Sequence, residues 1–158
     1  PSCRRNFDEK FRKGLEKYDI KGKVISQQDD AELIPYIYSL AKLALCKSGT
    51  VNMELALYGI PQIIGYKVSR VTAFIAKRIL NFKVRFISPV NLLMKKFIIP
   101  EFVQKNFIEE KIFYKACRLL DLTSEKAKIK KSYALLKKEL GEEGVVDRAA
   151  KEIINSII

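Results

Sequence analysis

A short turn between two apolar segments carries residue types that bind phosphorylated ligands. In LALCKSGTVNMELALYGIP, residues 43–61, Ser48, Gly49 and Thr50 directly follow an apolar run, and Glu54 is the one acid in the segment after it. Glycine lets a backbone approach a ligand closely, and the free N–H groups of a helix's first turn bind anions. Glu54 lies about one helical turn further, where a carboxylate could accept hydrogen bonds from ribose hydroxyls. The pattern therefore fits a nucleotide diphosphate.

The same turn also has a purely structural interpretation. Ser, Thr and Gly are common at helix starts, and Thr50 could act as an N-cap. A capping box needs Glu or Gln three residues after the cap, but Met53 occupies that position, so the box does not explain Glu54. On the turn alone, both interpretations stay open.

The composition favours a globular domain with an anionic partner. The 158 residues are 48% hydrophobic and 30% charged, with a net charge of +12. This charge suits nucleic acid, a phosphorylated ligand or acidic lipid, and it does not choose among them. The chain has no histidine, which excludes His-based catalysis and most catalytic zinc sites. Three isolated cysteines, Cys3, Cys46 and Cys117, argue against structural zinc and fit a reducing compartment.

The start of the chain shows neither a secretory signal nor a membrane span. It reads PSCRRNFDEK, and no apolar run in the sequence approaches the roughly 20 residues that a spanning helix needs. Because it opens with proline rather than methionine, we expect a fragment or a processed product.

The elements around the turn alternate between strands and helices. Apolar spacing predicts helices at residues 7–18, 29–42, 50–59, 70–81, 107–121, 124–140 and 145–158. Short apolar or β-branched runs predict strands at residues 22–27, 43–48, 61–67 and 84–90. This order predicts an α/β fold: a Rossmann-like parallel sheet with helices on both faces and a helical C-terminal tail. Without an internal repeat or linker, we expect one domain over residues 1–158.

Further motifs follow the turn in a fixed order. SGTVNMELALYGIPQIIGYKVSRVTAFIAKRI, then FISPVNLLMKKFIIPEFVQ, resemble the C-terminal half of lipid-A-disaccharide synthases, which are glycosyltransferases of the GT-B fold. The resemblance runs from about residue 20 to residue 158 and includes the tail GEEGVVDRAAKEII. The residues that match the family pattern are Ser48, Gly49, Thr50, Glu54, Gly59, Pro61, Tyr66, Thr72, Ala76, Lys77, Arg78, Ser88, Asn91, Leu92, Leu93, Pro100, Glu101 and Gln104.

The resemblance implies a domain that binds a UDP-sugar donor, without the N-terminal half that binds the acceptor. The complete enzyme joins UDP-2,3-diacylglucosamine to lipid X, and it releases UDP and the disaccharide core of lipid A. In that picture Ser48, Gly49 and Thr50 hold the diphosphate, Glu54 holds the ribose, and Asn91 lies near the donor sugar or phosphates. The residues that line the cleft or support it are Tyr66, Lys67, Ser88, Glu101 and Gln104.

The resemblance assigns neither a catalytic base nor a metal to these residues. The family's acid for the role of base lies on the N-terminal domain, so the catalytic residue here is unknown. A helix N-terminus and nearby cations can stabilise the departing UDP without metal, and we expect no cofactor. Asp29 and Asp30 lack the middle residue of a D-x-D metal motif and are interpreted as charges at a helix start.

The chain departs from the family pattern at three places. Lys67 replaces the arginine that often follows the tyrosine, and residues 94–97 read MKKF where the family has a segment like A-G-R-E. Arginine and lysine are not interchangeable where a phosphate is held bidentately. The glycine-serine-arginine stretch that opens this half in the family has only PSCRR as its counterpart, with Arg4 or Arg5 near the family arginine.

A basic segment raises the question of a membrane. Residues 67–85 contain six basic and no acidic side chains. The apolar stripe within them fits a helix packed on a sheet, which we favour, or an interfacial helix on anionic lipid. Because the implied substrates are acylated, we expect a cytoplasmic protein that is peripheral to the inner membrane. A homodimer and the acyl-chain specificity stay open.

Two other functional classes compete with the donor domain. One is a non-catalytic basic module that binds RNA or an acidic membrane surface, and the other is a degenerate enzyme that holds nucleotide without turnover. The aromatic residues do not form the paired ring platform of an RNA-binding sheet, so we expect no nucleic acid beyond the nucleotide.

Overall fold

The computed structural model describes residues 2–25, 33–69, 85–142 and 144–157. Contacts divide the chain into two compact units, residues 1–40 and residues 41–158, which are described separately. The expectation of a single domain over the whole chain remains a prediction. Within the described ranges, no helix combines the length and the apolar character needed to cross a membrane.

Two helices lie within the described residues of the first unit. Helix α1 (Ser2–Lys17) contains the amphipathic helix predicted at residues 7–18, apart from the last residue. Helix α2 (Leu33–Leu40) lies inside the helix predicted at 29–42, the beginning of which is outside the described residues. Pro35 falls in the first turn of α2, where a missing N–H costs no intrahelical hydrogen bond.

The strand predicted at residues 22–27 is wrong in its described part. Residues 22–25 have no regular secondary structure, and the remainder lies outside the described residues. Short β-branched runs are ambiguous in sequence, because strand formation depends on a neighbouring strand that supplies hydrogen bonds.

Over the part of the second unit that the structure describes, the strands form a three-stranded parallel sheet. Its strands are β1 (Ala44–Cys46), β2 (Gln62–Tyr66) and β3 (Glu101–Val103), in the order β1-β2-β3. The first two lie inside the strands predicted at 43–48 and 61–67. Helix α3 (Val51–Leu57) connects them and is followed by Gly59 with φ of 74°, the left-handed conformation that glycine adopts readily after a helix.

The predicted strand at residues 84–90 is wrong over its described residues. Residues 85–88 are irregular, and helix α4 (Pro89–Met94) begins where the strand was expected to end. Ser88 has an extended backbone and accepts a hydrogen bond from Asn91 N at 3.1 Å, while Pro89 takes the first helical position. A serine cap followed by proline is a helix start, which outweighs the strand preference of the preceding residues. The helix predicted at 70–81 lies outside the described residues.

The helical C-terminal tail is confirmed. A short 3-10 turn (Gln104–Asn106) leads to helices α5 (Glu109–Asp121), α6 (Thr123–Leu140) and α7 (Val145–Ile157). Glu125 of α6 pairs with Lys115 and Arg118 of α5 and so joins the two helices. The buried core brings the sheet together with α3, α4, α5 and α6; its members are Ala56, Ile63, Ile64, Val90, Ile99, Leu119, Ile129, Tyr133 and Leu136.

Candidate functional site

The carboxyl ends of the three strands meet at one edge of the sheet, where ligands bind in open α/β folds. Strand β1 leads into the Ser48–Thr50 turn, and strand β2 ends at Tyr66. The Lys47 ammonium lies 5.5 Å from the centre of the Tyr66 ring, so one cation sits at the junction of the first two strands. Gln104 follows β3, and its side-chain oxygen accepts a hydrogen bond from Val68 N at 3.3 Å.

The turn after β1 is organised by its own backbone and by two side chains. The Ser48 hydroxyl donates to Ile87 O, which ties the turn to the segment before α4. Gly49 N donates to the side-chain oxygen of Asn52 at 2.8 Å. Thr50 is exposed, has a helical backbone and makes no capping hydrogen bond through its side chain, so the N-cap interpretation of its hydroxyl is wrong. The start of the helix is instead stabilised by the side-chain oxygen of Asn52, which accepts the hydrogen bond from Gly49 N.

A buried polar network lies between this turn and the core. The Asn52 amide nitrogen lies 3.3 Å from Lys47 O and 3.1 Å from Gln62 Oε1. The Gln62 amide nitrogen donates to Asn52 O at 2.9 Å and lies 3.2 Å from the Tyr133 hydroxyl. Asn52 and Gln62 are completely buried. The network thereby joins the residue after β1 with α3, β2 and α6, and it links the turn to one C-terminal helix through Tyr133.

Burial changes the acidity of two groups in this network. It raises the pKa of the Tyr133 hydroxyl above its ordinary value of 10 and the pKa of the Cys46 thiol above 9. Asn52 donates to the Cys46 sulfur at 3.2 Å, a contact that opposes part of the shift of the thiol. Both groups therefore stay protonated at neutral pH and act as structural hydrogen-bonding partners rather than as bases or nucleophiles.

Glu54 lies in the first turn of α3 and is exposed. Glu54 lies about one turn of helix after Thr50, as the spacing of the two residues predicted. Its acidic side chain and the exposed Thr50 hydroxyl are thus on the accessible surface, whereas the amides of Asn52 and Gln62 are interior.

A second cluster contains three predicted site residues. Glu101 accepts hydrogen bonds from Ile87 N and Ser88 N, each at 2.9 Å, and from the Asn91 amide nitrogen at 2.7 Å. Ser88 and Asn91 are completely buried. The carboxylate therefore fixes the backbone just before α4, and Ile87 O receives the hydroxyl of Ser48. The cluster and the turn are one connected structure.

Asn91 uses its entire side-chain amide within the chain. Its oxygen accepts from Ile98 N at 2.8 Å and Ile99 N at 2.9 Å, and its nitrogen donates to Ile99 O at 2.8 Å as well as to Glu101. An amide with these partners and no exposed surface holds the loop between α4 and β3 in place. In this conformation it presents no free group to a ligand.

The structure thus brings most of the predicted site residues to one edge, in two kinds of environment. Thr50, Glu54 and Lys67 are exposed, whereas Ser88 and Asn91 are buried supports. Sequence reasoning missed Asn52 and Gln62. The available signal was an amide side chain inside an otherwise apolar helix and strand. Over the described part of the chain, no cluster of three or more His, Cys, Asp or Glu residues could hold a metal ion.

A family model described as lipid-A-disaccharide synthetase matches residues 1–158, the whole chain. The chain belongs to the lipid-A-disaccharide synthase family. The resemblance inferred from the motifs is therefore confirmed, and so is the α/β character of this part of the family fold.

Several curated lipid-A-disaccharide synthases are similar to the chain. The protein of Prochlorococcus marinus (strain MIT 9313) is 45% identical over 155 residues, which cover 98% of this chain and 40% of the relative. That of Synechocystis (strain PCC 6803) is 33% identical over 154 residues, covering 98% and 38%. That of Aquifex aeolicus is 33% identical over 153 residues, covering 94% and 38%. The chain spans about 40% of the length of these synthases. No solved structure is significantly similar to it.

Proposed function

We propose that these 158 residues form the donor-binding part of a lipid-A-disaccharide synthase and bind UDP-2,3-diacylglucosamine at the carboxyl edge of the sheet. The observation that carries the proposal is the match to the family model over the whole chain, together with the position of the Ser48–Thr50 turn directly after β1. The edge also carries exposed cations, Lys47 and Lys67, which suit a diphosphate.

The exposed and buried residues have different roles in this proposal. The backbone of the Ser48–Thr50 turn and the Thr50 hydroxyl contact the diphosphate, and Glu54 accepts hydrogen bonds from the ribose. Asn91 and Glu101, with Ser88 between them in the network, position the segment next to the turn rather than touching the ligand. Gln104 joins the ends of β2 and β3, and Tyr66 supports Lys47.

The chemistry of the donor explains why this arrangement is useful. Transfer breaks the bond between the anomeric carbon of the sugar and the β-phosphate oxygen, and UDP leaves with added negative charge. The positive end of the α3 dipole and the two lysines stabilise that charge in the transition state. The binding site for lipid X and the base that activates its hydroxyl belong to the rest of the family protein. We therefore expect these residues alone to bind donor without forming the disaccharide.

Because both substrates are acylated, the proposal includes a cytoplasmic, peripheral position at the inner membrane. The competing class, a basic module without catalysis, predicts binding of any polyanion with steep salt dependence. A preference for uridine nucleotides separates the two.

Isothermal titration calorimetry with UDP and ADP tests the donor site. We expect tighter binding of UDP, and we expect Glu54→Ala to weaken it about tenfold or more, the effect of losing about 1.5–3 kcal/mol of charge-assisted hydrogen bonding. Glu110→Ala is the matched control, because Glu110 is also an exposed acid in the first turn of a helix. Equal affinities for the two nucleotides, or a Glu54→Ala variant that binds UDP as well as the unaltered chain, would refute the assignment.

A further inference from the structure

The turn after β1 uses four of its hydrogen-bond donors within the chain. The Ser48 hydroxyl donates to a carbonyl of the segment before α4, and Gly49 N donates to the side-chain oxygen of Asn52 at 2.8 Å. Asn52 N donates to Gly49 O at 3.1 Å, and Met53 N donates to Thr50 O at 2.9 Å. A group with one hydrogen that already has an acceptor is not available to a ligand in this conformation. A phosphate at this turn therefore needs a side-chain cation.

Lys47 is the cation next to the turn. It lies between the last residue of β1 and Ser48, and its side chain is exposed. Its ammonium lies 5.5 Å from the centre of the Tyr66 ring, and Tyr66 is the last residue of β2. The parallel register pairs Cys46 with Ile64, so the two chain segments leave the sheet at the same edge. The charge of Lys47 is thus held beside the turn.

The contact with the ring restricts a flexible side chain. A lysine ammonium sits on a four-carbon stem and loses rotamer freedom when it binds a ligand. The negative face of an aromatic ring attracts a cation, and Tyr66 is only partly accessible to solvent, so its ring gives the ammonium a fixed partner. Part of the ordering that binding requires is then complete before the ligand arrives, which raises affinity.

We propose that Lys47 is the principal ligand of the nucleotide diphosphate and that Tyr66 is a positioning residue, the ring of which holds the Lys47 ammonium beside the turn. The inference rests on the proposed function and deepens it, because it assigns the affinity for the phosphates to a lysine rather than to the N–H groups of the turn. Lysine suits this role because it binds phosphate as a compact charge, without a fixed bidentate geometry.

Calorimetric titration of the whole chain with UDP tests the role of Lys47. We expect Lys47→Gln to weaken UDP binding about tenfold, the effect of losing a charged hydrogen-bond donor. Binding of uridine, which has no phosphate, should not change. Lys42→Gln is the matched control, because Lys42 is also exposed and precedes the amino end of the same strand. This control should bind UDP within about twofold of the unaltered chain.

Two substitutions of Tyr66 separate the ring from the hydroxyl. Tyr66→Leu should weaken UDP binding about threefold, as expected for the loss of an exposed cation–π contact. Tyr66→Phe keeps the ring and should bind UDP like the unaltered chain. If Tyr66→Phe weakens binding as much as Tyr66→Leu, the hydroxyl itself contacts the ligand, and the positioning role is refuted.

A double-mutant cycle tests whether Tyr66 acts through Lys47. In a chain that already carries Lys47→Gln, Tyr66→Leu should have no further effect on UDP binding, because the ammonium that the ring holds is gone. Additive losses would refute the positioning role. Circular dichroism checks that each variant folds, and Lys47→Gln and Tyr66→Phe, which are conservative in size, keep the proposal testable if Tyr66→Leu unfolds.

The outcomes distinguish this inference from the donor proposal. If the unaltered chain prefers UDP to ADP and Lys47→Gln binds UDP as tightly as the Lys42→Gln control, the role of Lys47 is refuted and the donor site stands. An equal loss of affinity for UDP and uridine in Lys47→Gln would also refute that role, since it would show a general disturbance of the site. Equal binding of UDP and ADP by the unaltered chain would refute the donor proposal and this inference together.

Discussion

Replacing Asn91 by alanine tests the central structural claim, that one buried amide holds the loop between α4 and β3. The substitution removes four hydrogen bonds, made with Ile98 N, Ile99 N, Ile99 O and Glu101. Glu101 keeps two backbone donors, but the three backbone groups of Ile98 and Ile99 lose the partner that the amide supplied.

The expected cost follows from these three backbone groups. A buried polar group that loses its partner costs about 1–3 kcal/mol, and Asn91 has no exposed surface through which water could replace it. Allowing for local relaxation, we expect Asn91→Ala to lower the free energy of unfolding by about 3–5 kcal/mol. This is a large fraction of the roughly 5–15 kcal/mol that stabilises a typical domain.

Urea denaturation followed by circular dichroism measures this change. Asn106→Ala is the control, because Asn106 is an exposed asparagine in the 3-10 turn, and it should change stability by less than about 0.5 kcal/mol. A double-mutant cycle with Glu101→Ala should give a coupling energy of about 1 kcal/mol or more, since the two side chains share a hydrogen bond. An Asn91→Ala variant as stable as the Asn106 control would refute the role assigned to the amide.

Three further variants test other contacts. Glu125→Gln should lower stability at neutral pH by up to about 1 kcal/mol. A hydrogen bond from a lysine of α5 lowers the pKa of the Glu125 carboxyl below 4.5, so the stabilisation by this carboxylate is lost as the pH falls through the lowered pKa. The difference between the variant and the unaltered chain should therefore disappear on acidification. Gly65→Ala should cost about 1–3 kcal/mol in urea denaturation, since its Cβ would lie 2.5 Å from Phe107 Cε2; unchanged stability would mean that the ring moves freely. Tyr133→Phe should lower stability by about 1 kcal/mol, because the contact of its hydroxyl with Gln62 is lost. Thermal unfolding at equal protein concentration measures the change, and an unchanged midpoint would show that this contact does not stabilise the fold.

The long elements were predictable from the sequence, and the short ones were not. The tail helices repeat their apolar residues over several turns, so their pattern is independent of the rest of the fold. Strand β3 has only three residues and begins with Glu101, the carboxylate of which accepts backbone hydrogen bonds. Residues 86–89, FISP, look like a strand by composition, but Ser88 and Pro89 start a helix. Whether such a short segment forms a strand or a helix depends on which neighbouring groups make hydrogen bonds with its backbone.

The location of the candidate site was predictable, whereas the roles of its residues were not. A small-residue turn after an apolar strand identifies the carboxyl edge of a parallel sheet, and the Ser48–Thr50 turn lies there. Whether a polar side chain faces the ligand or the interior depends on contacts between distant segments. Asn91 lies 43 residues after Ser48 in the sequence (91 − 48), yet both reach the same segment, through Glu101 and Ile87 O.

The fully buried glutamine at the start of the central strand also bears on how the sheet assembles. Gln62 lies opposite Ala44 of β1, and in this register its amide meets the backbone and side chain of Asn52 and the hydroxyl of Tyr133. Sliding β2 by two residues would keep the apolar side chains on their faces, but it would leave this buried amide without hydrogen-bond partners, which costs free energy. An aliphatic replacement would remove that penalty, so misaligned pairings would compete with the native one during folding.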